Sequence, residues 1–134
     1  MAGLPVTIRL LDPPLHEFLP NSKSGLRELA DALGMPLKDV TRRVASLSEF
    51  NPMLGMRGVR LGVAMPEIYE MQARAIFEAT VEAQAAGNTV VPEVMIPLVS
   101  AVREVELVKA RIDAVAASVG AESGVAFSFR LGVM

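Results

Sequence analysis

The sequence predicts an α/β fold built on about three parallel strands, and three observations point to it. Short apolar runs of β type occupy residues 6–11, 90–98 and 125–131. Long stretches with helical periodicity separate them, and strands that alternate with helices pair in parallel. Hydrophobic residues make up 51% of 134, which supplies a core for one domain and not for two.

Residues 6–11 place Val6, Ile8 and Leu10 on one face of a strand and Thr7, Arg9 and Leu11 on the other. Pro13-Pro14 stops it, because neither residue donates to a ladder. A polar turn at residues 21–24 follows, with Ser24 as the expected N-cap of a helix carrying Leu26, Leu29, Ala30 and Leu33. Gly34 closes that helix, and Pro36 suits the first position of the next. Leu37, Val40, Val44 and Leu47 form one apolar stripe there, so a helical hairpin fills the chain between Ser24 and Ser48. Asn51-Pro52 opens a short turn or helix with Met53, Leu54 and Arg57.

Pro66-Glu67 begins the longest helix, where early acidic residues suit the helix dipole. Ile68, Met71, Ala75 and Ala79 are its expected buried face, and Gly87-Asn88 its end. The second strand, residues 90–98, is closed by Pro97. Ser100 is expected to cap a helix to about Ser118, with Val105, Val108, Ile112 and Val115 inward and Gly120 as the stop. The last strand turns Val125, Phe127, Phe129 and Leu131 to one side.

Composition narrows the function classes. A formal net charge of -2, with no basic cluster interleaved with aromatics, argues against nucleic acid. No apolar run approaches the roughly 20 residues of a membrane span. The first residues lack a basic n-region and a long apolar stretch, so no signal peptide is expected. The absence of Cys excludes disulfides and thiolate chemistry and suits a cytoplasmic location. Walker, dinucleotide-binding and zinc-protease motifs are missing.

The residues with chemistry to offer are few. Arg9 stands near the C-terminal end of its strand, the end that faces ligands in parallel α/β folds. It reads either as an anion ligand or as a structural arginine paired with Asp12 or Glu17, and spacing alone favours the pair. Arg57, between Gly55 and Gly58, reads as an anion ligand or a solvated loop residue, with Arg60 one helical turn on as a competing ligand. His16 is the only histidine, and it fits an orienting role better than that of a nucleophile. Asp12 could fix Arg9; alone it is a weak cation ligand.

Four segments carry a family resemblance: T-I-R-L-L-D-P-P-L-H-E-F-L-P from Thr7, S-E-F-N-P-M-L-G from Ser48, P-E-I-Y-E-M-Q-A-R-A-I-F from Pro66, and V-P-E-V-M-I-P-L-V from Val91. Together they resemble the C-terminal phosphoenolpyruvate/pyruvate domain of the pyruvate, phosphate dikinase family, over nearly the whole chain. The resemblance implies part of a (β/α)8 (TIM) barrel, residues 1–134 being a single fragment of it with a helical insertion at about 22–60. It implies an enzyme family that interconverts ATP, pyruvate and phosphate with AMP, phosphoenolpyruvate and diphosphate. Arg9 and Arg57 match the two arginines that bind the phosphoenolpyruvate phosphate, with Asp12, His16 and Arg60 in support. No catalytic residue and no metal ligand falls within these residues; the magnesium of the parent enzyme is held elsewhere. The partners implied are phosphoenolpyruvate or pyruvate and the phosphohistidine domain of the parent enzyme.

The sequence departs from the family pattern N-P-M-L-G-H-R-G-C-R, with Met56 in place of His and Val59 in place of Cys. The family continues V-G-T-M-I-E where this sequence reads Leu131-Gly132-Val133-Met134, so the metal-binding Glu is expected just beyond it. A barrel segment with unclosed sheet edges is expected to be inactive alone and to form homo-oligomers. The alternatives are a non-catalytic module that binds phosphorylated metabolites, and an interaction fragment that binds nothing.

Overall fold

The computed structural model describes residues 4–48 and 51–134. The elements in chain order are β1 (Val6–Arg9), α1 (Lys23–Leu33), α2 (Leu37–Leu47), α3 (Gly58–Ala64), α4 (Pro66–Ala85), β2 (Pro92–Ile96), α5 (Val102–Ser123) and β3 (Arg130–Val133), with 3-10 turns at Leu15–Phe18 and Pro52–Leu54. The chain divides into two compact units: the described residues up to Asp12 together with Gly58–Met134, and Pro13–Arg57.

The first unit is the α/β part that the alternation predicts. Its strands run parallel in the order β1-β2-β3, with Arg9 opposite Met95 and Ile96 opposite Val133. Strand alternation gives Ile8, Val94 and Leu131 one face, and the buried residues of α4 and α5 pack into the same core. Leu10, Tyr69, Phe77, Val94, Ile96 and Ile112 are completely buried there. Phe77 stacks at a tilt on Phe127 and Phe129, with ring centroids 5.2 and 4.8 Å apart. The opposite sheet face is polar: Thr7 donates to Glu93 (2.7 Å), and Arg130 donates to the same carboxylate (3.3 Å).

The second unit is a helical hairpin. Ser22 caps α1 by accepting from the Gly25 N–H (3.1 Å), and Gly34 ends it in the left-handed region at φ 61°. Ala30 and Val40 are the buried apolar residues of α1 and α2.

Several boundaries differ from the sequence reading. The N-cap of α1 is Ser22, not Ser24, because Ser22 is the serine whose hydroxyl reaches the N–H three residues on. Pro36 is the N-cap of α2 and keeps extended ψ, so it lies outside the helix. The buried face of α4 is Tyr69, Ala73, Phe77 and Thr80, while Met71 is 64% exposed and Ala75 and Ala79 are exposed. Ile68 packs against the core as expected, but the two aromatic rings outweigh Met71, Ala75 and Ala79 in setting which stripe turns inward. Helix α5 passes through Gly120 and ends at Ser123, with Gly124 in the left-handed conformation at φ 66°. Its N-cap position is Ala101, and Ser100 sits one residue earlier. The strands are shorter than the apolar runs, and β3 begins only at Arg130. Val125, Phe127, Phe129 and Leu131 still alternate in burial as expected, and the last three pack on the core. Glu49 and Phe50, part of the S-E-F-N-P-M-L-G segment, lie outside the described residues.

Among the described residues, no helix is long and apolar enough to cross a membrane.

Candidate functional site

Arg9 is the last residue of β1, and its side chain is 52% exposed. By alternation it stands on the sheet face away from the core, opposite Met95. Its Nη1 lies 3.5 Å from Oδ2 of Asp12, a buried residue three positions on. Of the two readings of Arg9, the ion pair with Asp12 is therefore present. A guanidinium has five donors, so one carboxylate neighbour does not exhaust it.

The backbone between these two residues is tightly specified. The Leu10 N–H extends the ladder by donating to the Met95 carbonyl (3.0 Å). At Leu11 side chains take over from the ladder. Its N–H donates to Oε1 of Gln72 (2.8 Å), and its carbonyl accepts from the Tyr69 hydroxyl (3.0 Å). Both partners come from α4, three residues apart and hence on one helix face. Burial, and secondarily the charge of Asp12, push the Tyr69 phenol far above its ordinary value, so it remains a neutral donor. Gly62 of α3 lies flat against that ring: a Cβ there would stand 2.4 Å from Cδ2 of Tyr69.

Short helix α3 was not anticipated as an element, since seven residues are too few to display a period. It starts at Gly58, whose φ of 54° is a left-handed value, and the Val59 N–H donates to the Pro97 carbonyl at the end of β2 (2.9 Å). Arg60 is exposed on α3. Glu104 accepts from the Ser100 and Ala101 N–H groups, at 2.9 Å each. These bonds hold its carboxyl below the usual range, and the charge of Arg60 adds to the effect.

The remaining candidates belong to the second unit. Arg57 directs Nη1 to the sulfur of Met53 (3.4 Å), and the Met56 carbonyl accepts from the Leu15 N–H (3.3 Å). His16 is half-buried in the Leu15–Phe18 turn, where its carbonyl accepts from Leu19 (3.3 Å). Of the residues singled out from sequence, the structure brings Arg9 and Asp12 into contact. Tyr69, Gln72 and Gly62 were missed. The signal available was a phenol and an amide at i and i+3 in P-E-I-Y-E-M-Q.

A groove of about 450 Å³ lies on α4 and α5, lined by Glu67, Glu70, Arg74, Arg111, Val115 and Ser118; Arg9, Asp12, His16, Arg57 and Arg60 are not in its lining. Among the described residues no group of three or more His, Asp or Glu side chains is gathered to hold a metal ion.

Residues 1–134 match the family described as PEP-utilising enzyme, PEP-binding domain. The chain belongs to that family. Its curated relatives include pyruvate, phosphate dikinase of Rhizobium meliloti (strain 1021), 56% identical over 135 residues. The chloroplastic pyruvate, phosphate dikinase of Flaveria trinervia is 51% identical over 136 residues. The enzyme of that name from Giardia intestinalis is 48% identical over 134 residues. Each similarity covers all of this chain but only 14–15% of the relative, so this PEP-binding domain segment spans about one-seventh of their length.

Proposed function

We propose that this chain is part of a pyruvate, phosphate dikinase and that Arg9 and Arg57 bind the phosphate of phosphoenolpyruvate. The observation that carries the proposal is the match of all 134 residues to a PEP-binding domain, in company with relatives that bear the dikinase name. Three parallel strands, with Arg9 at the C-terminal end of the first, support a place in a (β/α)8 barrel. Residues 1–134 then form one barrel segment with its helical insertion at about 22–60.

The whole enzyme interconverts ATP, pyruvate and phosphate with AMP, phosphoenolpyruvate and diphosphate. In this reading Arg9 and Arg57 supply charge-assisted hydrogen bonds to the phosphate and spread the charge that develops as the phosphoryl group moves. Asp12 orients Arg9, and His16 and Arg60 are supports. Magnesium, which neutralises phosphoryl charge in such reactions, has no matching cluster among the described residues of this chain. The phosphohistidine domain that delivers the phosphoryl group is a partner supplied by the rest of the enzyme. The cytoplasm is the proposed location.

Within the three-stranded sheet, β1 and β3 each pair on one side only, so the isolated chain is expected to self-associate. Light scattering after size exclusion checks this; a monomer at high concentration contradicts it.

The test of function is a chimera. The full-length Rhizobium meliloti dikinase carries residues 1–134 of this chain in place of its own matching segment. Formation of phosphoenolpyruvate from ATP, pyruvate and phosphate supports the proposal. A folded chimera that binds nucleotide but forms no phosphoenolpyruvate favours a non-catalytic binding module instead.

A further inference from the structure

We infer that Tyr69 and Gln72 are positioning residues for Arg9, acting through the backbone of Leu11. This rests on the phosphate-binding role proposed for Arg9 and adds a device that sets where that guanidinium stands.

The argument begins with the backbone. A strand end normally frays, because its last N–H and C=O groups have no ladder partner and turn to water. Here the ladder stops at Leu10, and both polar groups of the next residue are taken by side chains of one helix. Fixing the N–H and the C=O of Leu11 fixes the peptide planes on either side of it. Those planes join Leu10, buried in the core, to Asp12, the ion-pair partner of Arg9. The carboxylate that faces Arg9 is therefore placed from α4.

Chemistry separates the two contacts from ordinary packing. Burying a phenol hydroxyl is costly unless it is bonded, and a Phe would fill the same space without that need. The Tyr69 ring is completely buried, its hydroxyl makes the 3.0 Å bond to Leu11, and Gly62 leaves the room the ring requires. Asp12 is near enough to act on the phenol electrostatically, yet the hydroxyl bonds to the neighbouring carbonyl. The phenol thus donates to the Leu11 carbonyl and not to the Asp12 carboxylate, which stands 3.5 Å from Arg9. Gln72 supplies the acceptor for the Leu11 N–H at 2.8 Å.

The experiment uses the 134-residue chain with Gln72→Leu, Gln72→Glu and Tyr69→Phe, beside Arg9→Ala. Two readouts are taken: the NMR resonances of the Leu11 amide and the Arg9 Nε–H, and phosphoenolpyruvate affinity by calorimetry. Gln72→Leu removes the acceptor; Gln72→Glu keeps one in nearly the same shape. Tyr69→Phe removes one donor and keeps the ring. The inference expects both resonances to move in Gln72→Leu and Tyr69→Phe and to stay near wild type in Gln72→Glu. It expects phosphoenolpyruvate to bind about two- to tenfold more weakly in the first two, the scale of one hydrogen bond. Unmoved resonances in folded Gln72→Leu and Tyr69→Phe overturn it, whatever the affinities. Moved resonances with affinity unchanged, while Arg9→Ala loses binding, overturn the functional part of it and leave the role of Arg9 intact. If Arg9→Ala binds phosphoenolpyruvate as wild type does, the phosphate role of Arg9 falls, while moved resonances still support the positioning device.

Discussion

The two units of this chain are held together by different means. The first buries whole aromatic and aliphatic side chains between a parallel sheet and two long helices; Tyr69, Phe77, Leu10 and Ile96 are completely enclosed. The second buries Ala30 and Val40 in its helices and leaves Leu33, Met35 and Leu37 at least 40% exposed around the hairpin turn. Its order comes from local devices: a serine cap, a left-handed glycine, and an i,i+3 pair between Arg42 and Asp39. Large buried areas fix side-chain positions to fractions of an ångström, while caps and turns fix the course of the backbone. Arg9 therefore stands on a packed frame, and Arg57 follows a turn whose Met56 carbonyl accepts from the Leu15 N–H.

That contrast can be broken from the core outward. Phe77→Ala removes a ring that two other aromatics lie against and is expected to cost about 3–5 kcal/mol, read as a fall in the denaturant midpoint. Val40→Ala in the hairpin deletes only two buried methyl equivalents, about 1.5 kcal/mol. Equal losses from the two would remove the distinction between the units.

Gly62→Ala comes next. Helix propensity alone favours alanine there, but the new methyl would sit 2.4 Å from the Tyr69 ring, which its hydroxyl bond and burial hold in place. Overpacking of this kind costs about 1–3 kcal/mol in thermal or denaturant unfolding. Gly34→Ala tests the hairpin by backbone alone. Nothing lies within 4 Å of the added methyl, so the expected loss of about 1–2 kcal/mol comes from φ 61°.

The smallest effect concerns α4 and α5, which Arg74 and Glu122 join through two 2.8 Å hydrogen bonds. The hydrogen bonds from Arg74, then the one from Ser118, hold the Glu122 carboxyl at about 2, down from 4.5. A depressed carboxyl stabilises the fold above its unfolded value, and that contribution fades as pH falls from 4.5 towards 2. Glu122→Gln should therefore flatten the acid limb of a plot of melting temperature against pH in that window. The pair is well exposed, so the change should be modest and should shrink in high salt.

Much of the first unit was legible in the sequence because its pattern is carried by runs of apolar residues. The alternation of Val125, Phe127, Phe129 and Leu131 survived although only Leu131 falls in the assigned strand. The helix ends were less legible, since several residues compete for each cap. Gly120 reads as the stop of α5, yet it is Gly124 that takes a positive φ and ends the helix. At the site, Arg9 and Asp12 were visible as charged residues at a strand end. Tyr69 and Gln72 were not, because they act on the backbone of a residue 58 and 61 positions away, a pairing that only the fold brings together.

The most direct test is a calorimetric titration of the chain with phosphoenolpyruvate, repeated with Arg9→Ala and with Arg57→Ala. A charge-assisted hydrogen-bonding group is worth about 1.5–3 kcal/mol, so each substitution should weaken binding about 10- to 100-fold. Phosphoenolpyruvate binding that is unchanged in both variants would contradict the assignment of these two arginines to its phosphate.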